Sequence, residues 1–344
     1  MNRFELKWLA FEITPRCNLN CIHCRTTASM DLKEKLTFDQ IVSTIDEIST
    51  RYKPVVVLTG GEPLLRRDLF DIADHIRSKG MRVGLATNGT LVSRSVAERI
   101  REHIDIVSLS LDGSTASVHD DFRKVSGAFD ATVRAAGNLK SAGVEFIVNS
   151  SFTKRNQHDI ENTYRLAKSL GARAWYMFLI VPTGRAKELF DELISRDDYY
   201  RILRWHFEME LKEKEIFVRP TCAPEYYALC DIESRRQNID YKRRSLSFST
   251  GGAKGCIAAQ SIAFIGYDGE VKPCSYFLRS AGNILEGGFL KIWDESEIFR
   301  KLRDFSSYNK KCAHCRYIGI CGGCRARADA YYGDFLAEDP YCFI

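Results

Sequence analysis

Thr14-Pro-Arg-Cys-Asn-Leu-Asn-Cys-Ile-His-Cys-Arg25 is the stretch on which the reading of this chain turns. Its cysteines, Cys17, Cys21 and Cys24, form C-x3-C-x2-C directly after a β-rich run, Trp8–Thr14. Three thiolates are one short of the four that close a structural zinc or iron–sulfur site. The spacing therefore predicts an open coordination position, at which an iron–sulfur cluster keeps one iron free for a substrate or cofactor. The alternative is a zinc site completed by His23 or a distant ligand.

Outward from this loop, short apolar runs alternate with amphipathic ones. Strands are predicted at Val55–Thr59, Met81–Thr87, Ile106–Leu111, Val144–Ser151 and Ala174–Ile180, each rich in aliphatic or aromatic residues. Helices are predicted at Phe38–Thr50, Arg66–Ser78, Ser95–His103, Phe129–Ser141 and Asp159–Ser169, several closed by Gly80, Gly143 or Gly171. Six βα units in a row imply a parallel sheet. The alternation stops near residue 182, short of the eight units of a full barrel. The expected fold class is α/β, a partial (β/α)6 barrel of TIM type over residues 1–218. The cysteine loop then falls at the C-terminal end of a barrel strand, where such folds carry out chemistry.

Residues Asp197 to Glu215 read as one more helix, and beyond Arg219 the pattern changes. Nine of the twelve cysteines lie between Cys222 and Cys342, which predicts a small cysteine-rich, metal-organised domain over 219–344. Asp268-Gly269 between apolar runs signals a tight hairpin, and Ser234 to Arg244, with five basic residues, an exposed excursion. The longest apolar stretch, Ala174 to Pro182, has nine residues, far short of the roughly 20 that span a bilayer. Met1 to Glu12 lacks the apolar core of a signal peptide. A cytoplasmic protein is expected, in which so many thiols bind metal or do redox chemistry rather than pair. The net charge of +5 is too small and dispersed to indicate nucleic acid.

Two glycines in Thr59-Gly-Gly-Glu-Pro63, at the end of the second predicted strand, permit close backbone approach to a ligand. Thr87-Asn-Gly89 ends the third strand and Ser110-Leu-Asp-Gly113 the fourth, so short polar side chains collect on one face of the barrel. With the three-cysteine loop, these motifs resemble the radical S-adenosylmethionine (SAM) superfamily. The resemblance implies a [4Fe–4S] cluster on Cys17, Cys21 and Cys24, whose open iron chelates SAM and whose electron cleaves it to a 5′-deoxyadenosyl radical. It implies cofactor contacts from Gly60, Gly61, Glu62, Pro63, Thr87, Asn88, Ser110, Asp112, Asn149 and Ser151.

Cys256-x12-Gly-x4-Cys274 followed by Cys312-x2-Cys315-x5-Cys321-x2-Cys324 and Cys342 is similar to the SPASM module, which holds auxiliary iron–sulfur clusters. The last spacing is two residues where the family usually has three. Family precedent implies one cluster on Cys312, Cys315, Cys321 and Cys342. A second would take Cys256, Cys274, Cys324 and one upstream cysteine. Cys222, flanked by Pro220 and Pro224, is preferred for that place over Cys230; a single auxiliary cluster, or a zinc module, are the alternatives.

Cys321-Gly-Gly-Cys-Arg-Ala-Arg-Ala328 and the tail Gly333 to Cys342 resemble the tetrapyrrole-modifying branch, which includes iron-coproporphyrin decarboxylases and haem d1 biosynthesis proteins. That resemblance implies a tetrapyrrole substrate, with propionates of iron-coproporphyrin III oxidatively decarboxylated to give haem b, and an electron donor of flavodoxin or ferredoxin type. Arginine forks suit carboxylates, which nominates Arg25, Arg123, Arg185, Arg219, Arg325 and Arg327. His23, His119 and His314 are candidates for axial or proton-transfer roles. Trp175, Tyr176 and Phe178 are candidates for the floor of an apolar cavity. Rival readings are a peptide maturase, whose N-terminal peptide-binding domain is not expected with seven residues before Trp8, and a non-catalytic iron–sulfur or zinc protein.

Overall fold

In β1 (Trp8–Thr14), Leu9, Phe11 and Ile13 turn to one side and are buried against helices, while Ala10, Glu12 and Thr14 turn to the other. The same period of two runs through β2 (Val55–Gly60), β3 (Arg82–Thr87), β4 (Ile106–Ser110), β5 (Phe146–Phe152) and β6 (Ala174–Leu179). A seventh parallel strand, β7 (Phe217–Thr221), follows them. The strands lie in sequence order in one sheet. The computed structural model describes residues 4–241 and 254–344. Its crossovers are α1 (Phe38–Ser49), α2 (Leu69–Ser78), α3 (Arg94–His103), the pair α4 (Ala116–Arg123) and α5 (Ala128–Ser141), α6 (Ile160–Ser169) and α7 (Arg196–Lys212). In α1 a capping box between Thr37 and Gln40 starts the helix, and Ile41, Ile45 and Ile48 form its buried stripe. Burying each isoleucine contributes roughly 1.5–3 kcal/mol.

The predicted strands agree with β1 to β6 to within two residues at either end, whereas β7 was not expected. Its Arg219-Pro220 reads as a break, yet among the described residues β7 is an edge strand paired only with β6, from Ala174↔Phe217 to Phe178↔Thr221. Pro220 can sit there because an edge strand tolerates a missing N–H. The division between residues 218 and 219 falls inside this strand.

At the opposite edge the second half joins the same sheet. β8 (Ile262–Ile265) runs parallel to β1, from Trp8↔Ile262 to Phe11↔Ile265, and turns through Asp268-Gly269 into the antiparallel β9 (Glu270–Lys272), which pairs with β10 (Gly282–Asn283). Gly269 takes φ +85°, the conformation the expected hairpin asks of a glycine. The joint is reinforced where the Glu47 carboxylate of α1 accepts the Phe289 and Leu290 N–H groups, each at 2.9 Å, at the start of helix Phe289–Glu295. After β7, α8 (Glu225–Gln237) absorbs the first four residues of the expected excursion Ser234–Arg244; its last three lie outside the described residues. Among the described residues no helix is long and apolar enough to cross a membrane.

Candidate active site and cluster pockets

The cysteine loop leaves β1 and is pinned from three sides. Gly61 N–H donates to Thr14 O at 2.8 Å and Glu62 N–H to Arg16 O at 2.7 Å. A Cβ on Gly61 would lie 2.2 Å from Arg16 O, so the close approach this glycine permits is to the loop itself. The end of α4 receives Asn20 N–H on Arg123 O and Ile22 N–H on Phe122 O. After β6, Arg185 donates its main-chain N–H to Cys24 O at 2.9 Å and its guanidinium to Cys21 O at 2.8 Å and Ala28 O at 3.2 Å. Gly184 (φ +58°) lets that strap in, since a Cβ there would meet Cys24 O at 2.3 Å. Arg185, nominated for propionate, is thus bonded to the loop backbone.

Cys17 and Cys21 are buried and Cys24 half-buried, all as free thiols. Leu19 N–H donates to Cys17 Sγ at 3.4 Å and Arg123 Nη1 to Cys21 Sγ at 3.5 Å. Burial pushes the Cys17 thiol up to about 12, so binding iron here releases protons. Donors already aimed at sulfur, with a buried guanidinium alongside, suit a thiolate-held cluster.

Around this loop the polar strand ends divide into two kinds. Glu62 and Asp112, expected as cofactor contacts, have no exposed surface at all. Glu62 accepts Thr87 Oγ1 at 2.8 Å, Asn88 N–H at 2.8 Å and Leu64 N–H at 3.1 Å, which ties β2 to β3. Burial holds its carboxyl at about 7 against the pull of those three donors. Asp112 accepts Ser151 N–H at 2.7 Å and pairs with Arg123 Nη2 at 2.6 Å. Thr87 is spent on Glu62, Pro63 opens the short helix Pro63–Leu65, and Asn88 is bound by Asn18 and Thr90. These side chains are braces. Ser110 and Asn149, opposite each other in the β4–β5 register and half-buried like Ser151, are different. Asn149 Oδ1 is buried without a hydrogen-bond partner, which suits a ligand donor.

His23 and His119 are held neutral. Burial, then Arg123, lowers His119 to about 3, and its Nδ1 accepts Asp112 N–H at 3.0 Å. Burial likewise takes His23, tilted over Phe122 at 4.7 Å, well below its ordinary value. His314 is exposed on the short helix that carries Cys312. A histidine whose value falls on folding contributes stability above its ordinary 6.5 that is lost as pH drops towards 3. His119→Asn keeps an acceptor oxygen and removes the titration. The wild type should therefore lose about 1.4 kcal/mol more than this variant between pH 7.5 and 5.5, read from urea midpoints at both pH values.

On β6, Trp175 points outward, with Nε1 on Ser150 Oγ at 2.8 Å and its ring against Trp205 and His206. It does not floor a cavity. Tyr176 lies on the opposite, inner face with Ile106, Ile147 and Phe217, and Phe178 shares that face. Arg219 stacks on Phe217 at 4.8 Å. Arg25 lies over Phe264 at 4.9 Å, with Glu12 Oε1 3.5 Å from its Nη1.

In the second half, Cys312, Cys315, Cys321 and Cys342 line one cavity of about 280 Å³ with Glu225 and Asp339. Tyr317 N–H donates to Cys315 Sγ and Gly323 N–H to Cys321 Sγ, each at 3.4 Å, repeating the Cys17–Leu19 pattern. Cys222 is pushed up by burial and then by Cys274, with Cys256 adding, and Cys324 by burial with Cys222 and Cys256 adding. Cys230 is instead buried on α8 beside Tyr226.

Arg325 and Arg327 are wholly buried, so neither meets a substrate from solvent. Arg325 donates to Gly323 O, Phe335 O, Ala337 O and Cys312 Sγ. Arg327 holds Asp339 through two 2.9 Å bonds. Arg123 is the equivalent staple in the barrel, and all three depart from the propionate role expected of them. Two groups escaped the sequence reading. Glu12 carried a signal, an acid at an inward position of a barrel strand; Asp339, hidden in the tail motif, carried none.

The model of the radical SAM superfamily matches residues 11–167, and that of the SPASM iron–sulfur cluster-binding domain matches residues 256–316. The chain belongs to the radical SAM superfamily, enzymes that bind SAM and a [4Fe–4S] cluster, and its SPASM module is of the kind that binds auxiliary clusters. It is 42% identical over 337 residues to an AdoMet-dependent heme synthase of Methanosarcina barkeri, spanning 97% of this chain and 95% of that protein. It is 36% identical to an AdoMet-dependent heme synthase of Nitratidesulfovibrio vulgaris, over 98% and 92% of the two chains. Its fold is that of Streptococcus suis SuiB bound to S-adenosylmethionine, with a TM-score of 0.76 at 18% identity over 99% of this chain and 78% of that one.

Proposed function

We propose that this enzyme decarboxylates propionate side chains of iron-coproporphyrin III to vinyl groups, giving haem b. The observation that carries the reading is likeness along the whole chain to proteins named AdoMet-dependent heme synthase. Cys17, Cys21 and Cys24 would hold the cluster that binds SAM, with Ser110, Asn149 and Ser151 beside it. Cluster and SAM together supply a 5′-deoxyadenosyl radical. Each propionate gives up one β-hydrogen atom to the adenosyl carbon, its carboxylate leaves as carbon dioxide, and one electron departs. Cys312, Cys315, Cys321 and Cys342 would hold one auxiliary cluster and Cys222, Cys256, Cys274 and Cys324 a second, groups able to accept single electrons. A donor of flavodoxin or ferredoxin type in the cytoplasm would supply the electron that cleaves SAM.

The chain's own residues prepare this chemistry. Arg123 and Arg325 place positive charge at Cys21 Sγ and Cys312 Sγ, which would help set the potential of clusters held there. The pinned loop would hold the cluster at the C-terminal ends of the strands, and Ile106, Ile147, Ala174 and Phe217 pack together inside the sheet. Anaerobically reconstituted enzyme, given iron-coproporphyrin III, SAM and reductant, should yield a product lighter by two units of formic acid in a mass spectrum. Formation of 5′-deoxyadenosine with no tetrapyrrole bound or changed would overturn the reading in favour of a peptide substrate.

A further inference from the structure

Two arginine–carboxylate pairs flank the cysteine loop, and they are built differently. Arg123 and Asp112 stand at 2.6 Å, with Asp112 also bonded to Ser151 N–H. That pair is closed. Arg25 and Glu12 stand at 3.5 Å, and among the described residues neither Arg25 Nη1 nor Glu12 Oε1, both buried, has a hydrogen-bond partner. Buried donors and acceptors are rarely left unsatisfied unless something completes them. A guanidinium also has more donors than this arrangement uses, since its other contact, Nη2 to Thr59 Oγ1, is a long 3.5 Å.

The surroundings say what would complete it. Arg25 follows Cys24 in the chain, its guanidinium lies over the Phe264 ring, and its side chain keeps 18% of its surface exposed. Thr59 is the penultimate residue of β2, directly before Gly60 and Gly61, which seat the cysteine loop. Phe264 belongs to β8, so Arg25 stands between the loop proposed to hold the radical cluster and the strand by which the second half joins the sheet. An anion is the natural ligand, and a planar carboxylate fits the fork bidentately. Glu12, held on its other side by the Tyr267 main chain, turns its unpartnered Oε1 to the place a substrate carboxylate would take.

We infer that Arg25 is the receptor for a propionate carboxylate of the substrate, with Glu12 as the internal anion that this carboxylate displaces. The inference rests on the tetrapyrrole reading and names the subsite within it. Arg123, Arg185, Arg325 and Arg327 are each committed to protein partners, as described above.

Binding can be measured without turnover, from the absorption of the iron porphyrin titrated with anaerobic, cluster-loaded protein. Two probes are compared, iron-coproporphyrin III and its tetramethyl ester, which has the same ring without the charges. Arg25→Gln should weaken binding of the acid by at least about tenfold and leave the ester within twofold, with iron content matching the wild type. Glu12→Gln should tighten the acid several-fold by freeing the guanidinium, and this variant decides the matter if Arg25→Gln fails to hold its iron. Equal loss for acid and ester, or no loss for either, overturns the inference, as does a Glu12→Gln variant with unchanged or weaker affinity for the acid. Wild-type protein that binds neither probe overturns the tetrapyrrole reading itself.

Discussion

Protein in which Cys17, Cys21 and Cys24 are all alanine is expected to produce no detectable 5′-deoxyadenosine under dithionite, a loss of at least about a thousandfold, and yet to remain folded. It should carry about four iron and four sulfide fewer per chain than the wild type, one cubane's worth. The reason for the split lies in where the loop sits. Its course is set by main-chain bonds to Gly61, Glu62, Phe122, Arg123 and Arg185, none of which uses a cysteine side chain. Its apolar contacts form a small cluster, with Leu19, Ala28 and Ala128, apart from the main core. Truncating three thiols there should lower the unfolding free energy by no more than about 1 kcal/mol each, well under a large core truncation. Retained SAM cleavage in the triple variant would refute the assignment of the radical site, and loss of the folded state would refute the account of how the loop is held.

The largest expected loss of stability belongs to Arg327→Leu. Both Arg327 and Asp339 are buried, joined by two parallel bonds, and Arg327 Nη2 also donates to Cys222 O at 2.9 Å. Removing the guanidinium leaves Asp339 as an uncompensated buried charge, a change that costs about 3–5 kcal/mol. Cys324 N–H at 2.6 Å and Tyr341 N–H at 3.0 Å still reach Asp339, so the damage should concentrate where the tail crosses Cys222 and Cys324. Urea denaturation should show the drop, and iron analysis a loss of auxiliary iron ahead of the barrel's. The double change Arg327→Leu with Asp339→Leu should recover part of the stability, because the buried Asp339 charge goes with its partner, while Glu225, 3.9 Å from Arg327, still loses a cation. A single variant as stable as wild type but impaired in tetrapyrrole binding would return Arg327 to the role its sequence context first suggested.

The parts of this protein that one segment of chain decides for itself were legible in its sequence. Alternation of apolar residues placed β1 to β6, because a strand's two faces repeat every two residues whatever lies beside it. Cysteine spacing marked the open three-thiol loop, and Asp268-Gly269 its hairpin, since turn geometry depends on a few adjacent residues. Strand β7 was not legible: Pro220 is a breaker by propensity, and only the position of β7 at the sheet edge makes it harmless. Nor was the commitment of side chains. Arg25, Arg123, Arg185, Arg325 and Arg327 look alike in sequence, each beside a motif; long-range approach gave Arg123 to Asp112, Arg327 to Asp339, Arg325 and Arg185 to carbonyls, and left Arg25 with an open fork. Composition and spacing determined which chemistry the chain can support. Which charges are spent on holding it together, and which remain free to meet a substrate, was decided by burial, because a buried ion must find a partner and the partner lies far away in the sequence.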